Sequence, residues 1–289
     1  MSRARALRTL RGADSGLVCG VSWLPESVLA NLAGQAPENS AYSLMEIARA
    51  LVLDLAFVPA ERQWAAEAVE LLRAADIATV WAVAGVLGRA GARLGWTEAL
   101  RLSAADPAAM AITLDEALHD TLVEVRAGIE RGADAILIAD ELSGASGPLV
   151  SPDYALDALV PCYHRCAAEV RDSGNVAIFH SDGDVRVLMP ALARAGFSAI
   201  HLGGLTPEPF LASLESARSA GMVVLGGIEA VALHDGSRRL GEHAAAAALS
   251  GGLIICDDGG MTRTEEVAAF ASAIDVARAA FELGEEHRA

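Results

Sequence analysis

The stretch AIFHSDGDVRVLMPALARAGFSAIHLGG, residues 177–204, decides the fold of this chain. An apolar block ends at His180, a turn follows, and apolar residues then recur at helical spacing before a second apolar block. Gly196 separates the helix from that second block, as expected where a helix ends in the left-handed conformation. An apolar strand, a helix and a second apolar strand are typical of a βαβ unit with parallel, buried strands. The stretch therefore predicts a parallel sheet with helices packed on it.

The same unit repeats along the whole chain. Eight short apolar blocks begin at Leu17, Leu51, Ile77, Ala135, Asn175, Ser198, Met222 and Leu253. The segments between them place apolar residues three and four positions apart, as amphipathic helices do. Eight such units predict an α/β protein with a single (β/α)8 TIM barrel over residues 1–289. Residues 1–14 are expected to form either an amphipathic start or a frayed end.

The composition narrows the class of protein. The 289 residues carry a formal net charge of −16, and all 22 residues counted as Lys or Arg are arginine. This charge disfavours a nucleic-acid partner, and the lack of lysine excludes enzymes that form a Schiff base on a lysine side chain. Hydrophobic residues make up 53% of the chain but occur in short blocks. We therefore expect a cytoplasmic protein without a membrane span.

Charged and polar side chains stand where the predicted strands end, which is where barrels of this kind place their catalytic groups. Those positions hold Asp54, Asp140, Glu141, His180, Asp182, Glu229 and Cys256. A carboxylate directly after a buried strand must pair, bind a ligand or change its pKa, so Asp140 and Glu141 are candidates for function. Ordinary alternatives remain open: His180 bonded to a loop carbonyl, Asp182 as a turn residue and Cys256 as a buried apolar residue.

Two motifs, in this order, resemble the uroporphyrinogen decarboxylase superfamily. The stretch GADAILIADELSGASGPLVSPDY, residues 132–154, holds a strand that ends in paired acids and a Ser-Pro that opens a helix. HSDG at residues 180–183 then matches an HxxG strand end. The resemblance covers most of the chain from Leu51 onward. It implies a barrel whose mouth binds a tetrapyrrole or a group carried by a corrinoid.

The two best-known branches of the superfamily imply different chemistry. The decarboxylase removes carboxylates from a porphyrinogen without a cofactor, and it uses an arginine-rich N-terminal RQAGR-type motif that this chain lacks. The corrinoid-linked methyltransferases hold zinc through a His-x-Cys and a late cysteine. By this resemblance, zinc or another divalent metal is expected on His180, on Asp182 in place of the first cysteine, and on Cys256. Imidazole, carboxylate and thiolate all bind such ions.

The leading hypothesis is metal-assisted methyl transfer between a methyl-corrinoid, carried by a partner protein, and a small acceptor. The expected catalytic residues are Asp54, Asp140, Glu141 and Glu229, and the expected substrate-binding residues are Ser181, Gly183 and Arg186. One alternative is metal-free decarboxylation of uroporphyrinogen or a related carboxylated tetrapyrrole. The other is a binding protein that holds a tetrapyrrole or corrinoid without turning it over.

Overall fold

The computed structural model of the protein describes residues 1–13, 16–34, 39–144 and 147–287. Its strands are β1 Gly20–Val21, β2 Leu55–Pro59, β3 Ala78–Ala84, β4 Ala135–Ala139, β5 Ser143–Gly144, β6 Gly147–Pro148, β7 Val176–Asp182, β8 Ala199–Gly203, β9 Val223–Ile228 and β10 Leu253–Asp257. Eight of them pair in the order β1-β2-β3-β4-β7-β8-β9-β10, each parallel to its neighbours. A parallel bridge from Cys19 to Ile255 joins the two ends of this sheet. The predicted (β/α)8 barrel is confirmed.

Helices connect the barrel strands, and β5 and β6 form a short antiparallel hairpin in the loop after β4. The helices are α1 Arg3–Leu10, α2 Glu26–Ala33, α3 Ser40–Ala50, α4 Ala65–Ala74, α5 Val86–Leu94, α6 Trp96–Ala105, α7 Pro107–Glu130, α8 Pro152–Tyr154, α9 Val160–Asp172, α10 Met189–Ala195, α11 Pro207–Ser219, α12 Leu233–Ala248 and α13 Thr264–Glu286. No helix in the described part of the chain is both long and apolar enough to cross a membrane.

Alternate strand residues build two separate apolar layers. One set faces the barrel axis and fills the interior, with Leu55, Phe57, Leu137 and Ile178 among its members. The other set packs against the surrounding helices. Because side chains of a strand alternate between its two faces, this division tells which residues near the strand ends point into the mouth of the barrel.

Helix α1 closes the amino-terminal end of the barrel. Its Ala6 and Leu10 are buried in the interior apolar layer. The Arg3 guanidinium contacts the Asp134 carboxylate at 2.5 Å, and the Arg5 guanidinium contacts the Asp54 carboxylate at 2.6 Å. Of the two forms expected for residues 1–14, the structure therefore has a docked helix over residues 3–10.

The second strand is shorter than the apolar block that predicted it. Leu51 caps the carboxyl end of α3, and Val52 has a positive φ of 54°. The strand consequently begins only at Leu55, so Asp54 precedes it instead of ending it. The expectation that Asp54 lies at the barrel mouth is wrong. Asp54 lies at the opposite end of the barrel, where it also accepts a hydrogen bond from the Ser2 amide at 2.8 Å.

Candidate functional site

Two neighbouring strands bring three ligand-type side chains together at the mouth. His180 and Asp182 are two residues apart near the end of β7, and Glu141 follows β4, which pairs directly with β7. The alternation along β7 points His180 and Asp182 the same way as Ile178, toward the barrel axis. The Asp182 amide donates to Glu141 Oε2 at 3.3 Å, so the two loops are held against each other.

The side-chain atoms of these residues surround a common point. His180 Nε2 lies 3.9 Å from Glu141 Oε1 and 3.8 Å from Asp182 Oδ1, and one ligand atom from each residue lies within 4.8 Å of the others. His180 is 3% exposed, whereas the two carboxylates are 42% and 46% exposed. The cluster therefore has a buried nitrogen at its base and two oxygens that reach solvent. We call it the Glu–His–Asp group.

The electrostatics of the group favour a bound cation. Burial, reinforced by Glu141 and Asp258, raises the pKa of Asp182 to about 6. Burial also raises the pKa of Glu141. Burial lowers the pKa of His180 well below its usual range, and the neighbouring His201 adds to this, so the imidazole is neutral. A neutral ring nitrogen beside two carboxylates is a donor set that divalent metals accept.

The separations also suit a metal. Nitrogen and oxygen ligands lie about 2.0 to 2.2 Å from zinc, which places two ligands of one ion roughly 3 to 4 Å apart. The two contacts from His180 Nε2, at 3.8 and 3.9 Å, are in this range and are too long for hydrogen bonds. The two separations from His180 Nε2 and the donor chemistry therefore fit a divalent metal, and all three ligand atoms lie within 4.8 Å of one another.

A second histidine, which the sequence analysis missed, lies behind His180. His201 pairs in register with His180 on the adjacent strand β8 and is completely buried. Its Nδ1 lies 2.8 Å from His180 Nδ1, and its Nε2 lies 2.8 Å from the Asp257 main-chain oxygen. The signal in the sequence was a histidine in an otherwise apolar block, SAIHL, which only a strand alignment relates to His180.

A largely apolar cavity of about 450 Å³ opens at the same end of the barrel, and Trp23 connects it to the group. Its walls include Trp23, Pro59, Ala84 and Met261. The Trp23 ring packs edge-on against His180 with 5.0 Å between ring centroids. This space can hold the apolar part of a substrate against Trp23.

Asp140 points away from the mouth, unlike its neighbour Glu141. Its carboxylate accepts hydrogen bonds from the Leu87 amide at 2.8 Å, the Gly88 amide at 2.6 Å and the Tyr163 hydroxyl at 2.8 Å. It thus satisfies free N–H groups at the start of α5. Burial raises the pKa of Asp140 to about 6. These contacts connect Asp140 to the helix layer and give it no place in the Glu–His–Asp group.

Cys256 does not belong to the Glu–His–Asp group in the described structure. Its side chain is fully buried in the interior apolar layer, and its Sγ lies 3.6 Å from Asp257 Oδ1. Burial raises the pKa of the thiol well above its usual range, so the thiolate that binds metals is disfavoured. The described structure therefore does not bring His180, Asp182 and Cys256 together; the carboxylate that lies with His180 and Asp182 is that of Glu141.

The remaining predicted residues make contacts within the protein. Ser181 Oγ is buried and accepts a hydrogen bond from the Leu142 amide at 3.0 Å. Gly183 has a φ of 70° and donates its amide to the Gly203 oxygen at 2.9 Å. Arg186 is exposed and pairs with Asp184 at 2.6 Å. Roles of these residues in substrate binding stay predictions.

Glu229 follows β9 at the same end of the barrel. Burial raises its pKa, and the negative charge of Asp258 adds to the effect. Asp258, which directly follows β10, accepts a hydrogen bond from the Ala230 amide at 3.1 Å. Both acids add negative charge to the mouth, and a catalytic role for Glu229 stays a prediction.

Comparison with known proteins agrees with this architecture. A sequence profile of the family uroporphyrinogen decarboxylase (URO-D) matches residues 47–257. No curated protein sequence matches the chain.

Among solved structures, a methyltransferase from Methanosarcina mazei superimposes with a TM-score of 0.75 at 18% identity, covering 94% of this chain and 98% of the other. A ligand-free tryptophan synthase from M. tuberculosis gives a TM-score of 0.53 at 12% identity and covers 96% of this chain and 99% of the other. At such identities the likeness shows the fold alone.

Proposed function

Because the chain belongs to the uroporphyrinogen decarboxylase family, we propose that it is an enzyme that moves a methyl group between a methyl-corrinoid and a small acceptor. A divalent metal would be held by Glu141, His180 and Asp182. The observation that carries the proposal is the Glu–His–Asp group itself, a neutral buried imidazole nitrogen facing two carboxylates at the mouth of the barrel.

The protein's own residues prepare the site for this chemistry. His201 and Trp23 hold the His180 ring, so its Nε2 stays aimed at the two carboxylates. When bound, the metal would lower the pKa of a thiol or hydroxyl acceptor and so make it a nucleophile at neutral pH. Glu141 and Asp182 would balance positive charge at this point, and the apolar wall of the cavity that Trp23 lines would limit access of water to the methyl group.

The transfer is a displacement at the methyl carbon. A lone pair on the acceptor would form the new bond to carbon while the bond from that carbon to the substrate corrinoid would break, leaving its electron pair on the corrinoid. The proton of the acceptor leaves to solvent through the open side of the Glu–His–Asp group, where the carboxylates are exposed. The acceptor is thereby methylated and no external oxidant or reductant is needed.

The charge of the mouth supports a corrinoid over a carboxylated porphyrinogen. The described mouth carries the carboxylates of Glu61, Glu141, Asp182 and Asp258, and Arg62 is paired with Glu61 at 3.4 Å. A substrate with several carboxylates would be repelled by this field. A corrinoid ring carries amides at its periphery, which an acidic and partly apolar mouth accommodates.

Metal content tests the site directly. Elemental mass spectrometry of the wild-type protein, loaded with zinc, manganese or cobalt in turn and then dialysed, should find close to one ion per chain for at least one metal. His180→Ala and Asp182→Asn should lose that ion, while Cys256→Ser serves as the matched control and should keep it. Metal that survives in His180→Ala, or that is absent from the wild-type protein, would overturn the assignment.

Activity tests the reaction. Methylcobalamin and a panel of small thiols would be incubated with the metal-loaded protein, and loss of the methyl-corrinoid absorption band would be followed with product detection by mass spectrometry. We expect demethylation that stops in His180→Ala. Loss of carboxylates from a porphyrinogen, with no methyl transfer, would favour the decarboxylase alternative instead. Tight corrinoid binding with no turnover in either assay would favour a binding protein.

A further inference from the structure

His201 is not part of the Glu–His–Asp group, yet its ring is in direct contact with that of His180. Both ring nitrogens of His201 have partners: Nδ1 lies 2.8 Å from His180 Nδ1, and Nε2 lies 2.8 Å from the Asp257 main-chain oxygen. His180 Nδ1 also lies 3.2 Å from the His201 main-chain oxygen. The two rings thus form a chain of hydrogen bonds that starts at a carbonyl and ends at His180 Nε2.

The direction of this chain follows from the carbonyl at its end. A carbonyl oxygen only accepts, so the hydrogen of neutral His201 must be on Nε2, and its Nδ1 carries a lone pair. That lone pair then accepts from His180, whose hydrogen must be on Nδ1. The His201 main-chain oxygen, the second neighbour of His180 Nδ1, also only accepts. His180 Nε2 is consequently left unprotonated, with its lone pair directed at Glu141 and Asp182.

The surroundings of His201 disfavour other positions of the hydrogens on the two histidine rings. The carboxylate of Asp257, whose carbonyl begins the chain, is itself held by the Ser22 amide at 2.7 Å and the Gly259 amide at 3.1 Å. His201 is completely buried between aromatic rings, so the additional charge of a doubly protonated ring that could donate in both directions is disfavoured. Trp23 and Phe57 pack edge-on against His201, with ring centroids at 5.7 and 5.1 Å, and cover it with apolar surface.

We infer that His201 is a positioning residue that keeps the hydrogen of His180 on Nδ1 and so leaves Nε2 free to bind a metal. Partners that orient the ring of a ligating histidine in this way commonly affect metal affinity by about 10- to 100-fold. The part of the inference that concerns metal binding rests on the proposed function. The part that concerns the hydrogen on His180 does not, because it is a property of the metal-free protein.

Nitrogen NMR of the metal-free wild-type protein tests the hydrogen positions. The chain has seven histidines, so selective ¹⁵N-histidine labelling gives few signals, and the one lost in His180→Gln identifies His180. We expect its Nε2 at the shift of an unprotonated ring nitrogen, its Nδ1 at that of a protonated one, and a scalar coupling across the Nδ1–Nδ1 hydrogen bond. Protonated Nε2 in the wild-type protein would overturn the inference, whatever metal or activity is found.

Two variants of His201 separate its hydrogen-bonding role from its packing role. His201→Leu removes the side-chain acceptor, and we expect a mixture of His180 tautomers, because the main-chain oxygen at 3.2 Å remains, and an affinity for the metal about 10- to 100-fold lower. His201→Asn places an amide oxygen near the position of Nδ1 and should recover most of both properties.

The outcomes of these variants are distinguishable. If His201→Leu leaves the His180 tautomer and the metal affinity unchanged, His201 is a packing residue and the inference fails. If no metal binds the wild-type protein but the tautomer responds as expected, the proposed function fails and the control of the His180 hydrogen stands. If His201→Leu does not fold, the coupling across the hydrogen bond in the wild-type protein still decides.

Discussion

Asp140→Asn should flatten part of the dependence of stability on pH. Burial raises the pKa of Asp140 from an ordinary 3.8 to about 6 in the folded protein. At about 1.4 kcal/mol for each pH unit between the two pKa values, protonated Asp140 stabilises the folded protein by about 3 kcal/mol. Because the folded state holds the proton more tightly, that stabilisation is fully present below pH 3.8 and is lost as the pH rises through about 6. Asparagine does not titrate, so the variant lacks this loss.

The assay is urea unfolding of the wild-type protein and the variant at several pH values between about 4 and 7, in the range where unfolding is reversible. The difference between their free energies of unfolding should change by about 3 kcal/mol across the range. A constant offset of about 1 to 3 kcal/mol should accompany it, because an amide cannot accept from both the Leu87 and Gly88 N–H groups and also from Tyr163. Metal content should be unaffected.

Tyr163→Phe is the matched control. It removes the hydroxyl that donates to the Asp140 carboxylate but keeps the carboxylate, and this hydrogen bond lowers the pKa of Asp140. The loss of stability should therefore move to higher pH instead of disappearing. A difference between wild-type and Asp140→Asn that stays constant from about pH 4 to 7 would refute the reasoning, since it would mean that the hydrogen bonds to the carboxylate fully offset its burial.

Three other side chains should respond in ways that reflect their positions. Gly183→Ala should lower the free energy of unfolding by about 1 to 3 kcal/mol, because φ is 70° and a Cβ would lie 2.9 Å from Ser143 Oγ; an unchanged urea midpoint would contradict this. Asp54→Asn should cost about 1 to 3 kcal/mol by weakening the contact to Arg5 at the far end of the barrel, and loss of metal in elemental analysis would show that the far-end position is wrong. Cys256→Ser should lower the melting temperature, since a hydroxyl enters the apolar interior, while loss of metal would return the thiol to the site.

The fold could be predicted from the sequence because each strand is a local apolar block. Blocks that begin at Ala135, Asn175 and Ser198 match β4, β7 and β8 closely, since their ends are marked by glycine or by charged residues. The block that begins at Leu51 predicts a strand that starts before the observed β2, which begins at Leu55. Its first residues end a helix, and hydrophobicity alone does not separate the buried end of a helix from the start of a strand.

The candidate site could be predicted only in part. His180 and Asp182 are two apart on one strand, and a period of two places them on the same face in any strand, so their association is local. Selecting Glu141 over Asp140 required knowing which of two adjacent carboxylates faces the axis, and this depends on where the strand ends. Cys256 looked equivalent to these residues in the sequence, but the barrel interior encloses its side chain.

The sequence by itself therefore determined the repeating strand and helix units, the family and the local His180–Asp182 pair, because these depend on residues close together in the chain. Only the tertiary structure decided that Glu141 completes the group, that Asp54 stands at the opposite end and that His201 lies behind His180. Those relations join residues between 21 and 49 positions apart in the chain. Their physical cause is the register between neighbouring strands, which sets the depth and direction of each side chain and is not encoded in any one segment.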